Sequence, residues 1–381
     1  MVTSPKPCSE ISGMTKVMFK APGVKDINVS CFNSAANNRK GAYVDVAKNV
    51  ALNEKGEGFF QFNPMSYPRG PLCITISGTR EDGKTDNNYL QLYNKGGVAG
   101  VHGIPPAPPP AAKGMKLVFS DNFDKSLSIG KGKDFKYFDH KPPDGSQDFS
   151  QWENHPPGAP GYRFTSFDKP NNPFAKVDNF LRIRASTEMQ SAGLISSMQG
   201  DGSGFKVLPP AYFECRFIAP NAIGTWPAFW LLQDGGGDEL DIIEAYGGEG
   251  AAAPNSFDSY MICPHAWGQG KEGDAISGAN YNAMKNPQKM KPKGVNSAWY
   301  EAFHTYGCLI TETDTVYYCD NIEMGRHPTQ PHSWAHPHYF LVNLAIGGIS
   351  GWRIDLSRVG GVADMYVDFV RVYQGERPKK K

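Results

Sequence analysis

Three of the four carboxylates in the stretch G-D-E-L-D-I-I-E-A-Y from Gly237 to Tyr246, namely Glu239, Asp241 and Glu244, are set among apolar residues. In a regular strand, residues two apart share a face, so Glu239 and Asp241 point together while Glu244 points the other way. One bulged residue between Asp241 and Glu244 restores the parity and brings all three onto one surface. Carboxylates held in one row push their pKa values apart, so that one can donate a proton while its neighbour stays ionised. Breaking a glycosidic bond asks for that division: one carboxyl protonates the departing oxygen and another acts on the anomeric carbon. A solvated acidic edge strand has the same spacing, and the carboxylates alone do not separate the two readings.

The flanking segments supply the context. Upstream lies Y-F-E-C-R-F-I-A-P-N-A-I-G-T-W-P-A-F-W-L-L-Q (Tyr212 to Gln233). Downstream come F-H-T-Y-G (Phe303 to Gly307), V-N-L-A-I-G-G (Val342 to Gly348) and M-Y-V-D-F-V-R-V-Y-Q (Met365 to Gln374). In this order they resemble family 16 glycoside hydrolases, over a span from about Lys116 to Gln374. The resemblance implies a concanavalin-like β-jelly-roll sandwich with the cleft on its concave face. It also implies a retaining endo-β-glycosidase working by double displacement, with Glu239 as nucleophile, Glu244 as general acid/base and Asp241 assisting between them. Within the family, laminarinases, agarases and carrageenases resemble this E-x-D-x-x-E form, whereas bacillus-type lichenases and plant xyloglucan enzymes use E-x-D-x-E. The implied substrate is a β-1,3- or mixed β-1,3/1,4-glucan. The alternatives are a β-galactan or agar-type polymer, a bacterial exopolysaccharide, and a glucan-binding protein without turnover. Where many laminarinase-like members carry Arg, this chain has Leu194.

Trp226, Ala228 and Trp230 share one face of a regular strand, so the two indoles can offer aromatic planes to sugar rings or serve as core. His304, in F-H-T-Y, and Asn343, in V-N-L-A-I-G-G, match polar positions of the family that look toward the cleft; either can equally be a satisfied core group. His265, in I-C-P-H-A-W, follows the next strand within reach of the acid/base region. Asp368 matches a position that in some relatives helps bind calcium on the convex face, which makes a structural calcium ion the one cofactor suggested; none is required for the chemistry.

The 381 residues allow two domains. The stretch H-G-I-P-P-A-P-P-P-A-A-K-G (His102 to Gly114) reads as a polyproline spacer that joins no sheet. It divides residues 1–103, a small Ig-like or carbohydrate-binding-like β-sandwich, from a linker at 104–114, a jelly roll at 115–376 and a basic tail at 377–381. Alternating runs such as Lys16 to Ala21, Ile27 to Phe32, Phe59 to Phe62 and Leu72 to Gly78 mark the strands of the first unit. On this reading a chain beginning near Gly114 folds alone. With 42 Gly, 30 Pro and 12% aromatics, an all-β protein is expected throughout.

Lys and Arg total 39 against 38 Asp and Glu, so no charge-driven nucleic-acid or membrane partner is implied, and the expected partner is a polysaccharide bound by a monomer. No apolar run approaches the ~20 residues that span a bilayer. No signal peptide is visible at the start, yet a polysaccharide substrate points to an extracellular or periplasmic location. Cys308 and Cys319 flank a hairpin-like segment and face each other if its turn centres on Thr313 and Asp314, which would permit a disulfide.

Overall fold

Alternation in Thr15–Lys20 builds the first sandwich: Val17 and Phe19 turn inward and are buried, while Lys16, Met18 and Lys20 face solvent. The computed structural model describes residues 1–142, 163–248, 258–266, 287–347 and 353–378. Thr15–Lys20 pairs with Val2–Ser4 and Glu57–Phe62 in a three-stranded sheet. The facing sheet runs Glu10–Ile11, Thr85–Asn94, Gly70–Arg80, Val24–Asn33, Ala42–Ala47. Thr85–Asn94 is buried on both sides. Leu90 and Leu92 enter the core of this sandwich, whereas Tyr89, Gln91 and Tyr93 face the second one. There the Tyr89 ring meets Tyr300 edge-on at 4.8 Å. Gln91 exchanges two hydrogen bonds with the backbone of Asp364, at 2.7 and 3.1 Å, and the Tyr93 hydroxyl donates to Asp178 at 2.6 Å.

The second sandwich is one hydrogen-bonded path folded over on itself. One half runs Ser259–Ala266, Asp238–Glu244, Thr225–Gln233, His338–Ile346, Ser191–Ser196. The other runs Phe180–Ser186, Val362–Gln374, Ala211–Ile218, His304–Ile310, Asp314–Cys319, Ile322–Pro328. The pairing that carries the path from one half to the other is Ser186 opposite Ser191, which lets the halves close face to face. Phe229, Leu231, Leu240, Ile243, Val342 and Leu344 from the first half pack on Phe213, Cys215, Tyr306, Met365 and Val367 from the second, and Tyr260 meets Tyr306 at 5.6 Å. The fold is all-β, a jelly roll preceded by a smaller sandwich.

The proline-rich stretch is docked rather than free. Arg371 Nη1 donates to the carbonyls of Pro105 and Ala107 at 3.1 and 3.2 Å, Gly103 N donates to Asp368 at 2.8 Å, and Ala112 is buried with Tyr212 and Tyr373. Two of its carbonyls are thus taken up by a jelly-roll arginine, while those of Pro109, Pro110 and Ala112 accept from nearby backbone N–H groups. This removes Asp368 from calcium chemistry. One of its oxygens accepts from Gly103 and the other from the Arg216 guanidinium, so a fixed cation occupies the place a metal would need. The residues there do not fit a calcium site. In the basic tail, Arg377 Nε donates to Pro209 O at 2.8 Å, and residues 379–381 lie outside the described set.

The docked linker and the two-sided strand tie the two sandwiches together through packed and hydrogen-bonded side chains. A chain beginning at Gly114 would expose Tyr300 and Tyr366 and strip Asp368 and Arg371 of backbone partners. It is expected to unfold at a clearly lower denaturant midpoint than the full chain, or to aggregate. Equal midpoints would show that the interface contributes nothing.

The hairpin register also corrects the disulfide. Cys308 lies opposite Tyr317, and Cys319 opposite Tyr306, because the turn is centred one residue earlier than Thr313–Asp314. The two sulfurs belong to diagonal positions, and all seven cysteines are free thiols.

Candidate active site

Strand pairing settles which way each carboxylate points. Ala228 lies opposite Glu244, Trp230 opposite Asp241 and Leu232 opposite Glu239, with the register shifting between Phe229 and Trp230. The same irregularity recurs against Ser259–Ala266, between Asp241 and Glu244. The extra residue places all three carboxylates on the face that carries Trp226, Ala228 and Trp230, while Leu240 and Ile243 fill the core behind them. Gly235, Gly236 and Gly237 join the two strands with φ of +94, +79 and +124°, a run that side chains would strain. They line one end of a cleft of about 810 Å³ together with Lys141, Met198, Glu239 and Tyr339.

Asp241 is the centre of the cluster. Its carboxylate, that of Glu239 and the His265 ring have ligand atoms within 4.8 Å of one another, and so do Asp241, Glu244 and the Cys263 thiol. His265 Nε2 lies 3.3 Å from Asp241 Oδ2. The Trp226 indole N–H donates to Glu244 Oε1 at 3.1 Å, and the Tyr246 ring packs on Trp226 at 5.6 Å.

Residues 209–360 match glycosyl hydrolases family 16. That match takes in the carboxylate row and both strands that flank it. It is similar to the endo-1,3-1,4-beta-glycanase EglC of Rhizobium meliloti, 32% identical over 210 residues, which is 53% of this chain and 40% of that protein. The endo-1,3-1,4-beta-glycanase ExsH of the same organism is 30% identical over 214 residues, again 53% of this chain and 40% of the relative. The chain thus spans less than half the length of these curated relatives. Among solved structures, a non-specific endo-beta-1,3(4)-glucanase of the family superposes with a TM-score of 0.50 at 21% identity, covering 72% of this chain and 96% of that one, a likeness of fold.

In this site, burial is the main force on the carboxyls. Burial first, and the Asp241 charge second, push Glu244 up to about 8. Asp241 is likewise held well above the ordinary carboxylate range, by burial and then by the charge of Glu239. Glu239 is the least buried of the three and opens onto the cleft. The arrangement can therefore keep a protonated carboxyl ready for a leaving oxygen beside an acid that opens onto the cleft.

The remaining residues singled out from the sequence fall in different places. Trp226 and Trp230 lie in the carboxylate row, but both are buried and their N–H groups are bound within the protein: Trp230 donates to Asn343 Oδ1 at 2.8 Å. Asn343 is in the same row, opposite Ala228, and its amide is used on both sides, since Nδ2 donates to Trp226 O at 3.2 Å. It fixes the two tryptophans. His304 is a correction. It lies on the opposite half of the sandwich, where its ring binds Asp320 at 2.7 Å, Ser297 at 3.1 Å and the Ala298 carbonyl at 3.2 Å. A His opening an alternating strand resembles a cleft position, yet its pairing with Phe217 sends it to the far sheet.

Other residues of the site were not singled out by sequence. Tyr246 follows Glu244 by two, Cys263 faces Asp241 across the strand pair, and Lys141 Nζ lies 5.3 Å over the Trp230 ring. Tyr246 was legible by proximity; Cys263 and Lys141 needed the pairing and the path of a distant loop. Leu194 is fully buried opposite Asn343, in the row that holds Glu244, so an Arg there would project onto the cleft face. The segments Gly247 to Asn255 and Gly268 to Gly294, candidates for shaping substrate choice, lie largely outside the described residues, as does Gly348.

Proposed function

We propose that the chain is a retaining endo-β-glycosidase that hydrolyses internal linkages of a β-1,3- or mixed β-1,3/1,4-glucan outside the cytoplasm, acting as a monomer. The observation that carries this reading is the bulge-aligned row, in which Glu244 is held protonated to about pH 8 within reach of Asp241, and Asp241 within reach of Glu239. Glu239 attacks the anomeric carbon and Glu244 protonates the departing oxygen; Glu244 then deprotonates the water that releases the sugar from Glu239. Asp241, whose carboxyl burial and the charge of Glu239 hold above the ordinary range, can share a proton or hydrogen bond with Glu239 and moderate charge on the nucleophile as the covalent bond forms and breaks. The names of the two Rhizobium meliloti relatives support the choice of glucan.

A second reading, an acidic bacterial exopolysaccharide, is favoured by Lys141, which brings a cation to the cleft beside Trp230. Reducing-end release across laminarin, lichenan, agarose, carrageenan and exopolysaccharides, with product mass spectrometry, separates the readings. Proton NMR of the first products, taken before mutarotation, should show the β-anomer in excess. An α-anomer would mean inversion and would remove the covalent step on Glu239.

A further inference from the structure

We propose that Trp226 and Cys263 are positioning residues that clamp Glu244 through hydrogen bonds to its carboxyl, so that the first tryptophan of the W-P-A-F-W segment serves the acid/base rather than a sugar ring. The inference rests on the reading of Glu244 as the acid/base. Trp226 is on the neighbouring strand with its indole N–H 3.1 Å from Glu244 Oε1, and only 5% of its surface is exposed. Cys263 comes from the strand on the other side, with its thiol in the group of ligand atoms, all within 4.8 Å of one another, that includes Asp241 and Glu244. The Tyr246 ring packs on Trp226 at 5.6 Å. Glu244 is therefore gripped from both flanking strands.

The chemistry of the clamp suits an acid that must stay protonated near neutrality. An Arg or Lys in contact with Glu244 would favour the ionised form strongly and remove the proton. An indole N–H and a thiol are neutral donors; burial keeps the Cys263 thiol protonated, so it contributes a donor and no charge. The charged and titratable groups that face Glu244 are Asp241 and Glu239 on its own strand, Cys263 and His265 on the next, and Tyr246 beyond its end; Lys141 acts on Asp241 from the cleft loop. Burial and the two carboxylates raise Glu244, while Cys263 and His265 oppose them. Removing a donor to the carboxylate leaves the raising influences unopposed, so the basic limb of activity must move to higher pH.

The test is the pH dependence of kcat and kcat/KM for the full chain and for Trp226→Phe, Cys263→Ala and Cys263→Ser on a soluble oligosaccharide. Trp226→Phe and Cys263→Ala are expected to lose about tenfold or more in kcat, with KM little changed and the basic limb displaced upward by about half a pH unit or more. Cys263→Ser, which restores a donor, should recover both. A raised KM with an unmoved limb in Trp226→Phe would mean a sugar platform and overturn the clamp. So would a Cys263→Ser variant as impaired as Cys263→Ala. If Trp226→Phe does not fold, the two Cys263 variants decide alone. Glu244→Gln serves as the control: should its residual activity keep the basic limb, the acid/base assignment fails, independently of the clamp.

Discussion

Replacing Glu239 or Glu244 by Gln should each lower turnover by about three or more powers of ten, because the nucleophile and the acid/base act as a unit and neither half-reaction proceeds without its partner. The fold should survive, since Gln is nearly isosteric and Glu239 opens onto the cleft. Circular dichroism checks this. The two variants are told apart by rescue. Azide can take the vacated position of a Glu239→Ala side chain and attack the anomeric carbon directly, giving a glycosyl azide of inverted configuration. In Glu244→Ala it can only intercept the covalent intermediate, giving the retained configuration. An inverted azide from the Glu244 variant would exchange the two roles. In the unsubstituted chain, the proposed activity should fall as pH rises through about 8, where Glu244 loses its proton.

The second large effect is on stability and lies far from the cleft. Arg371 and Glu214 form an ion pair in which both side chains are almost fully buried, and Arg371 also holds the linker carbonyls of Pro105 and Ala107. Arg371→Met leaves Glu214 without its cation in a low-dielectric interior, which is expected to cost about 3 to 5 kcal/mol at neutral pH by denaturant unfolding. Burial already raises the Glu214 pKa, and losing the arginine raises it further. A carboxyl whose folded pKa is raised contributes stability below its unfolded value of about 4.3 that is lost as pH climbs through the folded value. The deficit of the variant should therefore shrink as pH is lowered toward about 4. A deficit that does not change with pH would place the loss in packing and linker docking rather than in the unpaired charge. Adding Glu214→Gln should recover part of the stability at neutral pH.

Some of this was readable from residues because it depends on local pattern. The spacing of Glu239, Asp241 and Glu244 requires a bulge if the three are to share a face, and the register shifts between Asp241 and Glu244. Inward and outward alternation in Thr15–Lys20 identified a strand of the first sandwich. Thr85–Asn94 escaped that reading because both its faces are buried, Leu90 and Leu92 on one side and Tyr89, Gln91 and Tyr93 on the other, so no polar face marks it. His304 and Asp368 were misplaced for a related reason: a polar residue in an apolar strand signals a partner but does not say which. Their partners lie outside their own strands, Asp320 just past the adjoining hairpin strand and Arg216 on a strand 152 residues away in sequence.

By itself, then, the sequence determined the all-β class and the parity of the carboxylate row, since side-chain period is set within a few bonds of each residue. Tertiary structure alone decided that the proline-rich stretch is docked, that Asp368 binds an arginine instead of a metal, and that Glu244 carries its proton to about pH 8. Those properties depend on desolvation and on groups brought together from opposite ends of the chain, and neither quantity exists until the sheets close.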